Sequence, residues 1–113
     1  MKRTFVELAA FSRRLERSRD PSLLERIQEQ ILQNPEAGDV IQGSGGLRKM
    51  RVADPVHKRG KSGGYRLIYM DLPHVERTYL FWFYGKNESE DISPDEKKVL
   101  KRQVELLKKE AGK

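Results

Sequence analysis

Three stretches in the middle of the chain carry the period of β-strands. Gly46–Val52 sets Leu47, Lys49 and Arg51 against Arg48, Met50 and Val52. Gly63–Met70 sets Tyr65, Leu67 and Tyr69 against Arg66, Ile68 and Met70. Side chains alternate across a strand, so each set shares a face. Arg77–Tyr84 is apolar or aromatic almost throughout, then stops at Gly85-Lys86-Asn87. Its unbroken apolar run from Tyr79 to Phe83 predicts a central strand covered on both faces. If the three strands pair as a meander, Lys49, Arg51 and Arg66 converge on one face, with Lys86 and Asn87 at the strand end beside them.

Elsewhere the period changes to that of helices. Leu8, Phe11 and Leu15 form one stripe of a first helix ending near Arg19. Asp20-Pro21 reads as a restart, Asp as N-cap and Pro at the first helical position. The second helix carries Leu24, Ile27 and Ile31 inward, with Leu23 and Leu32 flanking, and Asn34-Pro35 ends it. Two helices joined so tightly predict an αα-hairpin covering the sheet. Thr4–Glu7 reads as a short edge strand. Ser93-Pro94-Asp95-Glu96 is a capping box opening a last helix, with Val99, Leu100, Val104 and Leu107 on one stripe and Leu106 at its margin.

The connectors differ in character. Glu36–Gln42 predicts a link with a short extended piece. Gly43-Ser44-Gly45-Gly46 can cradle a phosphate in principle, but it leads into a strand and lacks the Walker spacing, so it reads as a turn. Ala53–Ser62 is long for a hairpin loop and basic, which favours contact with a polyanion. His57 and His74 read as ordinary surface residues.

Composition narrows the picture. The 113 residues fit one domain spanning 1–113. No cysteine is present, which excludes disulfides and fits a reducing compartment, the cytoplasm being the expected location. No apolar run approaches a membrane span or a signal peptide, so no membrane partner is expected. Lys and Arg exceed Asp and Glu, for a formal charge of +6. From Arg48 to Arg66 the basic residues Arg48, Lys49, Arg51, Lys58, Arg59, Lys61 and Arg66 are opposed only by Asp54. That imbalance favours a phosphate-binding surface.

The sequence shows neither an acidic cluster at metal spacing nor a serine or cysteine triad, so no cofactor or metal is expected. A nest of cations near one aromatic hydroxyl suits metal-independent RNA cleavage. The 2′-hydroxyl attacks the neighbouring phosphorus, and fixed cations stabilise the charge that builds on the phosphorane. A lysine acts as base only in its neutral form, which neighbouring cations favour. Lys49, between Arg48 and Arg51, is the candidate. Catalytic candidates are therefore Lys49, Arg51, Arg66, Lys86 and Asn87; RNA-binding candidates are Arg48, Lys58, Arg59, Lys61 and Tyr84.

Four motifs, Gly38–Gly43, Gly46–Ala53, Gly63–Tyr69 and Tyr84–Glu88, together resemble the RelE/ParE toxin superfamily in its HigB-like branch. The resemblance covers roughly Asp20 to Leu107. It implies an α+β fold: an N-terminal helical hairpin packed on a curved, mainly antiparallel β-sheet, then a C-terminal helix. It implies the toxin of a type II toxin–antitoxin pair that cuts messenger RNA on the ribosome. The implied partners are the ribosome and mRNA, and a cognate antitoxin, often with a helix-turn-helix DNA-binding domain, through which the complex meets operator DNA. By motif position the family's basic residues fall on Lys49, Arg51, Arg66 and Lys86, with Asn87 where arginine is frequent. The family's late catalytic tyrosine falls at about Ser93, here a helix cap. Two other readings use the same sequence: a ParE-like DNA gyrase inhibitor without nuclease activity, and a non-catalytic RNA-binding module.

Overall fold

A computed structural model describes residues 2–53, 64–85, 88 and 93–112. The expectations for Lys58, Arg59, Lys61, Lys86 and Asn87 lie outside these residues. The elements run β1 (Thr4–Glu7), α1 (Ala9–Arg17), α2 (Leu23–Gln33), β2 (Asp39–Val40), β3 (Arg48–Val52), β4 (Tyr65–Leu72), a 3-10 turn (Pro73–Val75), β5 (Arg77–Gly85) and α3 (Pro94–Ala111). The fold is α+β. Its sheet has the order β1-β5-β4-β3-β2. β1 pairs parallel to β5, and the other neighbours are antiparallel.

The sheet separates two cores. On one face Met50, Val52, Tyr65, Leu67, Tyr69, Leu80 and Phe83 pack against Phe11 of α1 and Leu23, Ile27 and Ile31 of α2. On the other, Leu47, Ile68, Met70, Tyr79, Phe81 and Tyr84 gather beneath Val104 of α3. β5 feeds both, which accounts for its unbroken apolar run. Its register against β4 shifts between Ile68 and Tyr69, where Phe81 is the extra residue. That bulge turns Phe81 and Trp82 to the α3 face together.

Four details depart from the sequence reading. The N-terminal hairpin is not exact, because α1 and α2 make little contact with each other and each lies on the sheet by its own stripe. α2 begins at Leu23 with Ser22 in the cap position. The Asp20 carboxylate instead accepts from the Ser22 amide at 3.3 Å and from Arg26 at 2.7 Å. The shift puts Leu23 fully inside and Leu24 at the margin. Val99 is 61 % exposed and borders an open cleft over Ile68, Phe81 and Trp82 instead of packing on them. The capping box at Ser93 and Glu96 is formed as expected.

The glycine loop is a turn. Gly43, Gly45 and Gly46 adopt φ of 77°, 84° and 126°, a region disfavoured for residues with a Cβ. The buried Ser44 hydroxyl closes it, donating to the Ile41 carbonyl and accepting from the Leu47 amide. The turn sends the chain from β2 directly back along it as β3.

Candidate active site

Register decides which cations meet. β3 and β4 pair Arg51 with Arg66, and β4 and β5 pair Arg66 with Tyr84. Residues directly opposite share a face with Cβ atoms about 5 Å apart. Arg51, Arg66 and Tyr84 therefore form one row across three strands, on the face that α3 covers further along. The neighbouring row on that face is Asp39, Lys49, Ile68 and Trp82. Lys49 consequently stands diagonal to Arg66, with Ile68 opposite it.

A cleft of about 440 Å³ opens here, lined by Gln30, Ala37, Asp39, Lys49, Met50, Arg51, Arg66 and Tyr84. It exists because β2 is only two residues long. Beyond Lys49 the edge of β3 has no strand beside it among the described residues. α2 closes that edge instead: the Gln30 side-chain amide donates to the Arg51 carbonyl at 2.7 Å. Lys49 and Arg51 are exposed and make no side-chain hydrogen bond or ion pair to any described residue. Arg66 is partly buried, its Nη1 3.5 Å from the Gly64 carbonyl.

Two sequence candidates have different places. Tyr84 is 1 % exposed, its ring 5.5 Å from that of Trp82, so it forms floor rather than a reaching arm. Arg48 lies on the opposite face from Lys49 and Arg51, because it is one residue out of phase with them. Its guanidinium donates to the Gly38 carbonyl at 2.8 Å and the Glu36 carbonyl at 3.3 Å. It fixes the connector between α2 and β2.

That connector is tightly held. The buried Tyr69 hydroxyl accepts from the Gly38 amide at 3.1 Å and donates to the Pro35 carbonyl at 2.8 Å. Burial, as the largest influence, pushes the Tyr69 hydroxyl pKa up, so it stays a neutral donor. A Cβ on Gly38 would lie 2.9 Å from the Lys49 carbonyl oxygen, so only glycine lets the connector approach β3 this closely. At the far end of the row, Arg14 of α1 lies over the rings of Trp82 and Phe83 and pairs with Glu88. The Glu88 carboxylate also accepts from the Gly85 amide at 2.8 Å.

Sequence reasoning left out Gln30 and Asp39. It placed Asp39 in a connector and gave Gln30 no role. The signal for Asp39 is the pairing of β2 with β3, which a two-residue strand announces too weakly to read; Gln30 enters through its bond to the Arg51 carbonyl, which has no local trace.

With this geometry in view, comparison with known families is decisive. The model of the RelE toxin of the RelE/RelB toxin–antitoxin system matches residues 3–112. The chain belongs to the RelE toxin family. The match is to the RelE family as a whole and does not resolve a HigB-like branch within it. Membership supports a toxin role in a toxin–antitoxin system and implies a RelB-type antitoxin as partner. Among the described residues no helix is long and apolar enough to cross a membrane.

Proposed function

We propose that this toxin is a cytoplasmic, ribosome-dependent endoribonuclease that cuts mRNA without a metal, as a single domain. The observation that carries the reading is the row of Arg51 and Arg66 beside Lys49, set on two paired strands at the edge of an open cleft. The arginine forks hold the oxygens of one backbone phosphate. Lys49 takes the proton as the 2′-hydroxyl attacks the adjacent phosphorus. The P–O5′ bond breaks, a proton is supplied to the 5′-oxygen, and the products are a 2′,3′-cyclic phosphate and a 5′-hydroxyl. Charge is greatest on the phosphorane, so cations fixed before the reaction stabilise it more than the ground state. Lys86 and Asn87 follow β5 directly and are assigned to the same phosphate; Lys58, Arg59 and Lys61 are assigned to flanking RNA. A helix-turn-helix antitoxin that carries the complex to operator DNA completes the reading.

The test is a translating extract supplied with message and purified toxin. Expected are cuts in frame with the codons that vanish with Arg66→Ala. Intact message together with inhibited DNA supercoiling would overturn the reading in favour of a gyrase poison. Salt-sensitive RNA binding without any cut would leave only an RNA-binding module.

A further inference from the structure

The cleft has two chemically distinct sides. One is the cationic row already described. The other carries the Asp39 carboxylate, which only accepts, and the Gln30 amide, which accepts at Oε1 and keeps one N–H to donate. The Arg51 carbonyl can only accept, so the Gln30 amide nitrogen must face it, as the 2.7 Å contact shows. The Gln30 Oε1 and the second N–H of its amide are left over, and neither bonds a described residue. Asp39 is exposed, lines the cleft, and forms no ion pair within 4.0 Å with any described residue, although Lys49 is its cross-strand neighbour. Its backbone is fixed from beneath by the Tyr69 hydroxyl and the Arg48 guanidinium acting on Gly38 and its neighbours. A carboxylate in a cleft for polyanions repels phosphate and accepts from a donor on the substrate.

We propose that Asp39 and Gln30 read the nucleobase beside the cleaved phosphate, favouring a base with an exocyclic amine and disfavouring uracil. The proposal rests on the endonuclease reading. The rows of Asp39 and Arg51 lie two residues apart along the strands, about 7 Å. A phosphate in the arginine row thus leaves the attached nucleotide within reach of the acceptors. Adenine, cytosine and guanine each present an NH₂ group that a carboxylate or amide oxygen accepts from. Uracil presents carbonyl oxygens on both sides of a single N–H, so it meets the Asp39 carboxylate acceptor to acceptor. Unstacked single-stranded bases are read on these edges.

The experiment uses the full chain in a translating extract with four messages. They differ only in the nucleotide whose 2′-hydroxyl attacks. Wild type is expected to cut the A, C and G messages roughly tenfold or more faster than the U message. Asp39→Ala is expected to compress that ratio to a few-fold, Asp39→Asn to keep part of it through its remaining oxygen, and Gln30→Met to weaken it. If Asp39 acts only on the Lys49 ammonium, Asp39→Ala shifts the pH–rate profile and leaves the base ratio intact; that result overturns the proposal. So does a uniform loss across all four messages. Wild type that cuts none of them defeats the endonuclease reading itself, whereas cutting with no base ratio defeats only the assignment of Asp39 and Gln30.

Discussion

Arg51 and Arg66 sit directly opposite each other across β3 and β4, two permanent cations in one cross-strand pair. Like charges in that position are destabilising. An anion between the two is attracted by both. Arg51→Ala is accordingly expected to leave stability within about 0.5 kcal/mol of wild type, or slightly above it. Toxicity and message cutting should fall by roughly a hundredfold or more. Thermal melting beside a cleavage assay checks both; a matching loss of stability and activity would mean that Arg51 serves the fold.

Tyr69 links the sheet to the connector that leads into Asp39. Tyr69→Phe leaves the Gly38 amide and the Pro35 carbonyl without their buried partner. The expected loss is about 1–3 kcal/mol in urea unfolding. Hydrogen exchange at Gly38 and Asp39 should speed up while exchange in β5 does not.

Arg3 and Asp71 tie the N-terminal strand to β4 across β5. The guanidinium donates to both carboxylate oxygens, at 2.8 and 3.1 Å, and the buried Thr78 hydroxyl donates to the same carboxylate at 2.6 Å. Both charged side chains are under a tenth exposed. Asp71→Ala strands the Arg3 charge and the Thr78 hydroxyl and should cost about 3 kcal/mol. Arg3→Met combined with Asp71→Leu should cost less than the sum of the single changes, which a double-mutant cycle measures.

Asp20 gives the fold an acid-sensitive joint. Its hydrogen bond from Arg26 holds the carboxyl below the ordinary aspartate value, with amide and hydroxyl donation from Ser22 adding to it. A folded value below the unfolded one means stability that is present above the unfolded value and lost as pH falls through the folded one. The loss begins at about pH 4 and grows below it. Melting temperature followed downward in pH should fall less steeply for Asp20→Asn than for wild type over that window.

Much of this architecture is written in local pattern. The capping box at Ser93, the stop at Asn34-Pro35 and the strand alternation around Met50 and Leu67 are short-range signals, and each element formed where they placed it. What failed depended on tertiary competition. Val99 has the right spacing for the α3 stripe, yet it borders an open cleft over Ile68, Phe81 and Trp82. The parallel pairing of β1 with β5 joins residues some seventy positions apart and leaves no local trace. The site divides the same way. Phase within β3 fixed Lys49 and Arg51 on one face; Arg48, kept as an RNA-binding candidate although out of phase with them, instead bonds the connector. Which residues of other elements complete the cleft, Gln30 and Asp39, followed only from a two-residue strand and one side-chain hydrogen bond.

The central claim is that fixed strand cations stabilise a phosphorane formed by the message's own 2′-hydroxyl. The most direct measurement places a single 2′-deoxynucleotide at the mapped cut site of a message on the ribosome and analyses the new ends. Predicted are no cut at that position, and 2′,3′-cyclic phosphate ends on the unmodified message. Efficient cutting of the deoxy message, or 3′-hydroxyl ends on the natural one, would contradict it.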